Sequence, residues 1–130
     1  MLGEEARLGR EILRVRMPFA LPTGNRLKRM HWADYGRLRD RIAQYVFAAG
    51  GGRGRVGSRK VWVQVTCWRM QMPDDDNAIF AAKPAYDMVV KLGYASGDAP
   101  DQMAMLKPVT HLVRSRKEQA TEIVVLVAPL

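Results

Sequence analysis

Lys60-Val-Trp-Val-Gln-Val-Thr-Cys-Trp68 is the stretch on which the fold turns. Val61, Val63, Val65 and Cys67 form one alternating set, and Trp62, Thr66 and Trp68 belong to the other. Side chains two apart on a strand share a face, and here both faces are apolar or aromatic at least in part. That pattern predicts a central strand covered on both sides. Upstream, Glu11 to Met17 alternates Leu13, Val15 and Met17 with Ile12, Arg14 and Arg16. This predicts a strand with one buried and one largely basic face, ended by Pro18 and Pro22 and followed by a turn at Thr23-Gly24-Asn25. Downstream, Thr121 to Ala128 is a run of strand length and strand composition.

Helical segments fall between these strands. From Ala33, Tyr35, Leu38, Ile42, Tyr45 and Val46 recur at helical spacing. This helix runs out at Ala48-Ala49, where five glycines in eight residues predict a flexible loop carrying Arg53, Arg55, Arg59 and Lys60. A further helix is expected after Pro73, with Met88, Val89 and Leu92 towards the core, Gly93 as its C-cap, and Pro84 in its first turn. Residues 78–83 then form a separate turn or loop. Ser96 to Pro100 is a loop, and Gln102 to Val113 is open between strand and irregular structure. No internal repeat is present. The pattern describes a single domain over residues 1–130, of two-layer α/β (α+β) class, with a mixed sheet against helices.

Composition narrows the function. The chain of 130 residues has a formal charge of +8, with 48% hydrophobic and 26% charged residues, an ordinary globular balance. Residues 1–60 carry 14 Lys and Arg against 5 Asp and Glu, while residues 61–130 carry 7 against 8. The first half is built to meet an anion, and a pI near 10.2 is the footprint of a nucleic-acid binder. No apolar stretch approaches membrane-spanning length. The start, Met1-Leu-Gly-Glu-Glu-Ala-Arg7, has no signal-type hydrophobic region, so a cytoplasmic location is expected. One cysteine, Cys67, leaves no intrachain disulfide or cysteine-cluster zinc site and reads as a small core residue.

Against this basic background stands the acidic knot Asp74-Asp75-Asp76-Asn77. Crowded carboxylates repel one another and repel nucleic acid, unless a divalent cation neutralises them, and Mg²⁺ favours carboxylate oxygens. If the strand geometry persists through the knot, Asp74 and Asp76 face one side and Asp75 the other. The competing explanation is structural: Asp and Asn cap helix N-termini and suit turns. Asp98, in a Gly-Asp-Ala-Pro loop, can rejoin the knot if the intervening helix returns the chain, or it is an ordinary turn aspartate. Lys83 can stabilise charge on a phosphate undergoing displacement, or it is a solvated lysine in an i,i+4 pair with Asp87. His31 and His111 are isolated and read as structural or surface residues.

The run Asp74-Asp75-Asp76-Asn77, followed by Lys83, Asp87, Gly93 and Asp98, resembles the RusA-like Holliday junction resolvases, whose signature is Asp-x-Asp-Asn, then Lys, Asp, Gly and a downstream acid. The opening strand, the segment Leu21-Pro-Thr-Gly-Asn-Arg26 and the helix bearing Tyr35 agree with it. Two departures stand out: an insertion follows Asn77, and Gly97 replaces the first of two adjacent aspartates. The resemblance implies a homodimeric, Mg²⁺-dependent endonuclease, with Mn²⁺ a possible substitute, that cuts four-way DNA junctions. It implies Asp74, Asp76 and Asp98 as metal carboxylates and Lys83 as the catalytic lysine. Arg26, Lys28 and Arg29, expected in a loop before the first helix, would contact DNA phosphates, with Arg53, Arg55, Arg59 and Lys60 next. The alternatives are a nuclease preferring flaps or forks and a non-cleaving basic DNA-binding protein of the same fold.

Overall fold

A computed structural model describes residues 9–129. The segment Met1–Arg7, read above for a targeting signal, lies outside the described residues. Strand β1 (Arg10–Met17) leads through a proline-containing segment to a short helix α1 (Gly24–Arg29) and then to the long helix α2 (Trp32–Gly50). The central strand β2 (Val61–Arg69) is followed by helices α3 (Asp75–Ala81) and α4 (Lys83–Lys91). Two short strands, β3 (Met103–Met105) and β4 (Val109–Leu112), precede a 3₁₀ turn at Arg116–Glu118 and the last strand, β5 (Ala120–Val127).

The strands form one mixed sheet in the order β1-β5-β2, with β3 and β4 both on the free side of β2. β5 pairs antiparallel with β1 and β2, while β3 and β4 run parallel to β2 along its first and last thirds. The segment left ambiguous by sequence is therefore a strand interrupted once, at Leu106-Lys107-Pro108, where proline removes a ladder donor. α2 and α4 cover one face. Val15, Met17, Val63, Val65, Ile123 and Val125 from the sheet meet Ile42, Val46, Ala85 and Val89 from the helices, all essentially inaccessible. The two-layer α+β class follows directly.

The other sheet face corrects the expectation that helices or strands cover β2 on both sides. It is covered only by its own side chains. Trp62 packs with Ala104, Leu106, Leu126 and Ala128, while the Arg16 guanidinium lies 4.2 Å from the Trp68 ring centroid and Trp68 stacks on His111. Long amphipathic side chains hide apolar surface while keeping their charged ends wet.

Helix ends follow their local chemistry. His31 caps α2, its Nδ1 accepting from the Ala33 amide at 3.1 Å, and this accounts for that histidine. α4 ends in a Schellman motif: Tyr94 N–H donates to Val89 O at 2.9 Å and Gly93 N–H to Val90 O at 3.1 Å, with Gly93 at φ +83°. The glycine loop docks on this end and does not hang free as expected. Gly54 N–H donates to Leu92 O at 2.7 Å, Tyr94 Oη donates to Gly52 O at 2.9 Å, and Val56 is buried in the core. Cys67 is buried beside Thr121, as a small core residue. Among the described residues no helix is long and apolar enough to cross a membrane.

Candidate functional site

The acidic knot lies where β2 has ended and α3 begins. Asp74 is the N-cap of α3, extended at φ −68° and ψ 167°, and its Oδ1 accepts the Asn77 amide at 2.8 Å. Its Oδ2 accepts Asn77 Nδ2 at 3.1 Å, so Asn77 engages both oxygens. The extended geometry therefore stops at Asp74. From Asp75 onward each residue turns by about 100°, so the two-residue alternation that placed Asp74 and Asp76 on one side does not hold. Gly24 wedges α1 against this turn: a Cβ there would stand 2.9 Å from both Asn77 Oδ1 and Phe80 Cβ. Residues 78–81, expected in a turn or loop, continue α3. The break falls at Ala82, and Pro84 sits in the first turn of α4 as expected.

Beyond α3 the surface opens into a depression of about 530 Å³. Lys83 and Asp98, 15 residues apart in sequence, both line it, together with Arg39 of α2 and Asp87 and Lys91 of α4. Ile79, Phe80 and Met105 give it an exposed apolar margin. Asp76 lies one helical turn before Phe80, on the face of α3 that leads to this margin. Lys83 Nζ and Asp87 Oδ2 are 3.5 Å apart, the i,i+4 pair anticipated from sequence, and Tyr35 Oη donates to the same Asp87 oxygen at 3.3 Å. Lysine ahead of the acid is the weaker order for such a pair, and half-exposed pairs contribute at most about 1 kcal/mol, so Lys83 is free to exchange partners. Partial burial raises the Tyr35 phenol, with the Asp87 charge and hydrogen bond adding to it, so Tyr35 remains a proton donor to that carboxylate at neutral pH.

Carboxylate oxygens without imidazole or thiolate are the right chemistry for a hard dication. The placement does not match. Among the described residues no three carboxylate, imidazole or thiolate groups stand close enough to share an ion. Topology gives the reason. The knot follows the last residue of β2, whereas the Asp98 loop delivers the chain to Met103, which pairs with Val61, the first residue of β2. The crossover thus returns to the opposite end of the strand from the one where the knot began. Asp75, facing elsewhere, lies 3.8 Å from Lys107 in an exposed ion pair.

The basic residues divide into groups. Arg26, Lys28 and Arg29 are on helix α1, not in a loop, because Thr23 caps the helix and Leu27 anchors it in the core. Lys28 Nζ is 5.2 Å from the Phe80 ring centroid, so α1 brings its cations to the knot. Arg53 and Arg55 are exposed beside Lys91, which also lines the depression. Arg59 donates to Ala128 O, and Lys60 Nζ lies 5.6 Å from the Trp62 ring centroid, so these two serve the end of the sheet. Sequence reasoning missed Arg39 and Lys91. The four-residue steps Tyr35–Arg39 and Lys83–Asp87–Lys91 were the available signal, since each puts its members on one helix face. No family model matches the chain, and no curated protein matches it.

Proposed function

We propose that this protein is a cytoplasmic, homodimeric, Mg²⁺-dependent endonuclease acting on branched DNA, with Mn²⁺ able to substitute. One observation carries most of the weight: Lys83 and Asp98, singled out independently in sequence, line the same depression with Arg39 and Lys91 around it. Three cations beside exposed carboxylates suit a phosphodiester and leave neutral substrates without an obvious partner. α1 adds Arg26, Lys28 and Arg29 next to the knot, so a strand can run from α1 to the depression over continuous positive charge.

Hydrolysis joins a water oxygen to phosphorus and breaks the P–O3′ bond, with negative charge building on the phosphoryl oxygens and the O3′ leaving group taking up a proton. Lys83 supplies a mobile ammonium for the phosphoryl charge, and Arg39 and Lys91 hold neighbouring phosphates. Asp74, Asp76 and Asp98 are the donors for the ion. Since they are not gathered, metal and DNA binding must draw them together, with the exchange of Asn77 from Asp74 as the first requirement.

The double hydrogen bond from Asn77 to Asp74 favours a second reading, a basic protein that binds DNA without cutting it. Incubation with a synthetic four-way junction or a linear duplex, in Mg²⁺ or in chelator, separates the two. Paired symmetric nicks confined to the junction with metal support the resolvase, and Asp76→Asn should then bind without cutting. Normal cutting by Asp76→Asn would remove Asp76 from the site. Cutting of flaps or forks in preference to junctions would keep the chemistry and change the substrate.

A further inference from the structure

A second depression, of about 660 Å³, opens where β2 ends beside the segment that precedes α1. Arg26, Arg69 and Arg116 line it, with the side-chain amides of Gln71 and Gln119, and no carboxylate among the described residues does. Arg26 and Arg116 are exposed, whereas Arg69 is only 6% exposed and its Nε is buried without a hydrogen-bond partner. A guanidinium held out of water beside two more guanidinium groups is costly unless an anion neutralises it. The planar fork of arginine matches the oxygens of a phosphate, and the glutamine amides add uncharged donors to the same end.

Position identifies the anion. Arg69 precedes Asp74 by five residues, and Arg26 belongs to α1, whose Gly24 abuts Asn77. The geometry points to this depression as the seat for one backbone phosphate of the DNA strand, on the Arg69 side of the acidic knot. Arg69 is then the buried anchor, and Arg26 and Arg116 are the rim that captures the strand. This assignment rests on the DNA-binding reading above and adds a residue, Arg69, that contributes to neither the catalytic depression nor the glycine loop.

Anisotropy of a fluorescently labelled four-way junction in chelator, across a salt series, tests it on the full chain. Arg26→Gln with Arg116→Gln should weaken binding about tenfold or more and lower the log–log salt slope by about 2. Arg69→Met should weaken binding further while leaving the fold at least as stable, because it replaces an uncompensated buried charge by an apolar side chain. Should Arg69→Met not fold, the rim double variant still decides. Unchanged affinity and slope in that variant overturn the assignment. If inorganic phosphate raises the melting temperature only when Arg69 is present, while the rim variant keeps its junction affinity, the pocket serves a free anion and the backbone assignment falls. Absence of junction binding by the unaltered protein instead defeats the DNA reading itself.

Discussion

Asp74 has a structural role on view and a catalytic one proposed, and substitution can pull them apart. Asparagine is about as good an N-cap as aspartate, whereas alanine costs about 1 kcal/mol. Asp74→Asn should keep its urea midpoint and Asp74→Ala should lose it, yet both should lose cleavage if the carboxylate serves an ion. Full cleavage by Asp74→Asn would leave the cap as the residue's whole purpose. Tyr86, which lines the depression, supplies a pH signature. Burial pushes its phenol up to about 12 from 10.0, with the Cys67 thiol a lesser cause. The folded state keeps this proton after the unfolded chain has lost it. The contribution is therefore intact below pH 10 and lost between about 10 and 12, roughly 2–3 kcal/mol in all. Urea melts across that window should show a shallower decline for Tyr86→Phe. A decline as steep as in the unaltered protein would mean that Tyr86 ionises freely in the fold.

At the scale of elements, the end of α4 meets the glycine loop through two residues without side chains. A Cβ on Gly93 would stand 2.5 Å from Gly54 O, and Gly93 also needs φ +83°. Gly93→Ala should therefore cost at least about 1–3 kcal/mol, read as a lowered denaturant midpoint. Loss on this scale would show that the loop is a fixed part of the fold, carrying Arg53 and Arg55 at a defined place beside Lys91. The glycine at 93 was legible as a helix stop because αL geometry is a local demand. That five loop glycines would dock was not, because glycine permits close backbone approach as readily as it permits motion. The double role of 75–81 was equally hidden: an Asp-Asp-Asp-Asn run is consistent with a strand end, a turn or a cap, and only the Asp74–Asn77 bonds select the cap.

For the whole molecule, the concentration of positive charge in the first 60 residues should govern DNA affinity. Log affinity should fall linearly with log salt, by about 0.9 per phosphate contact. Changing Arg53 and Arg55 together to Ala should lower that slope by about 2. Changing Arg59, held by the Ala128 carbonyl, should do little. An unchanged slope in the first variant would take the glycine loop off the DNA surface. The sheet also explains why the three aspartates were easier to name than to bring together. Their types and order are written in the chain, but their separation depends on which end of β2 the crossover returns to.

The sequence by itself determined the strands, the stop of each long helix, the layer class and the sign of charge in each half, because periods of 2 and 3.6, caps and composition are local properties. Tertiary structure alone decided that Lys83 and Asp98 share a depression with Arg39, that Asp74 is tied up by Asn77, and that Arg69 is buried with its Nε unpartnered. Those outcomes depend on the pairing of β3 with the start of β2 and on the packing of α1 against α3. Contacts of that kind join residues far apart in the chain, and no local pattern records them.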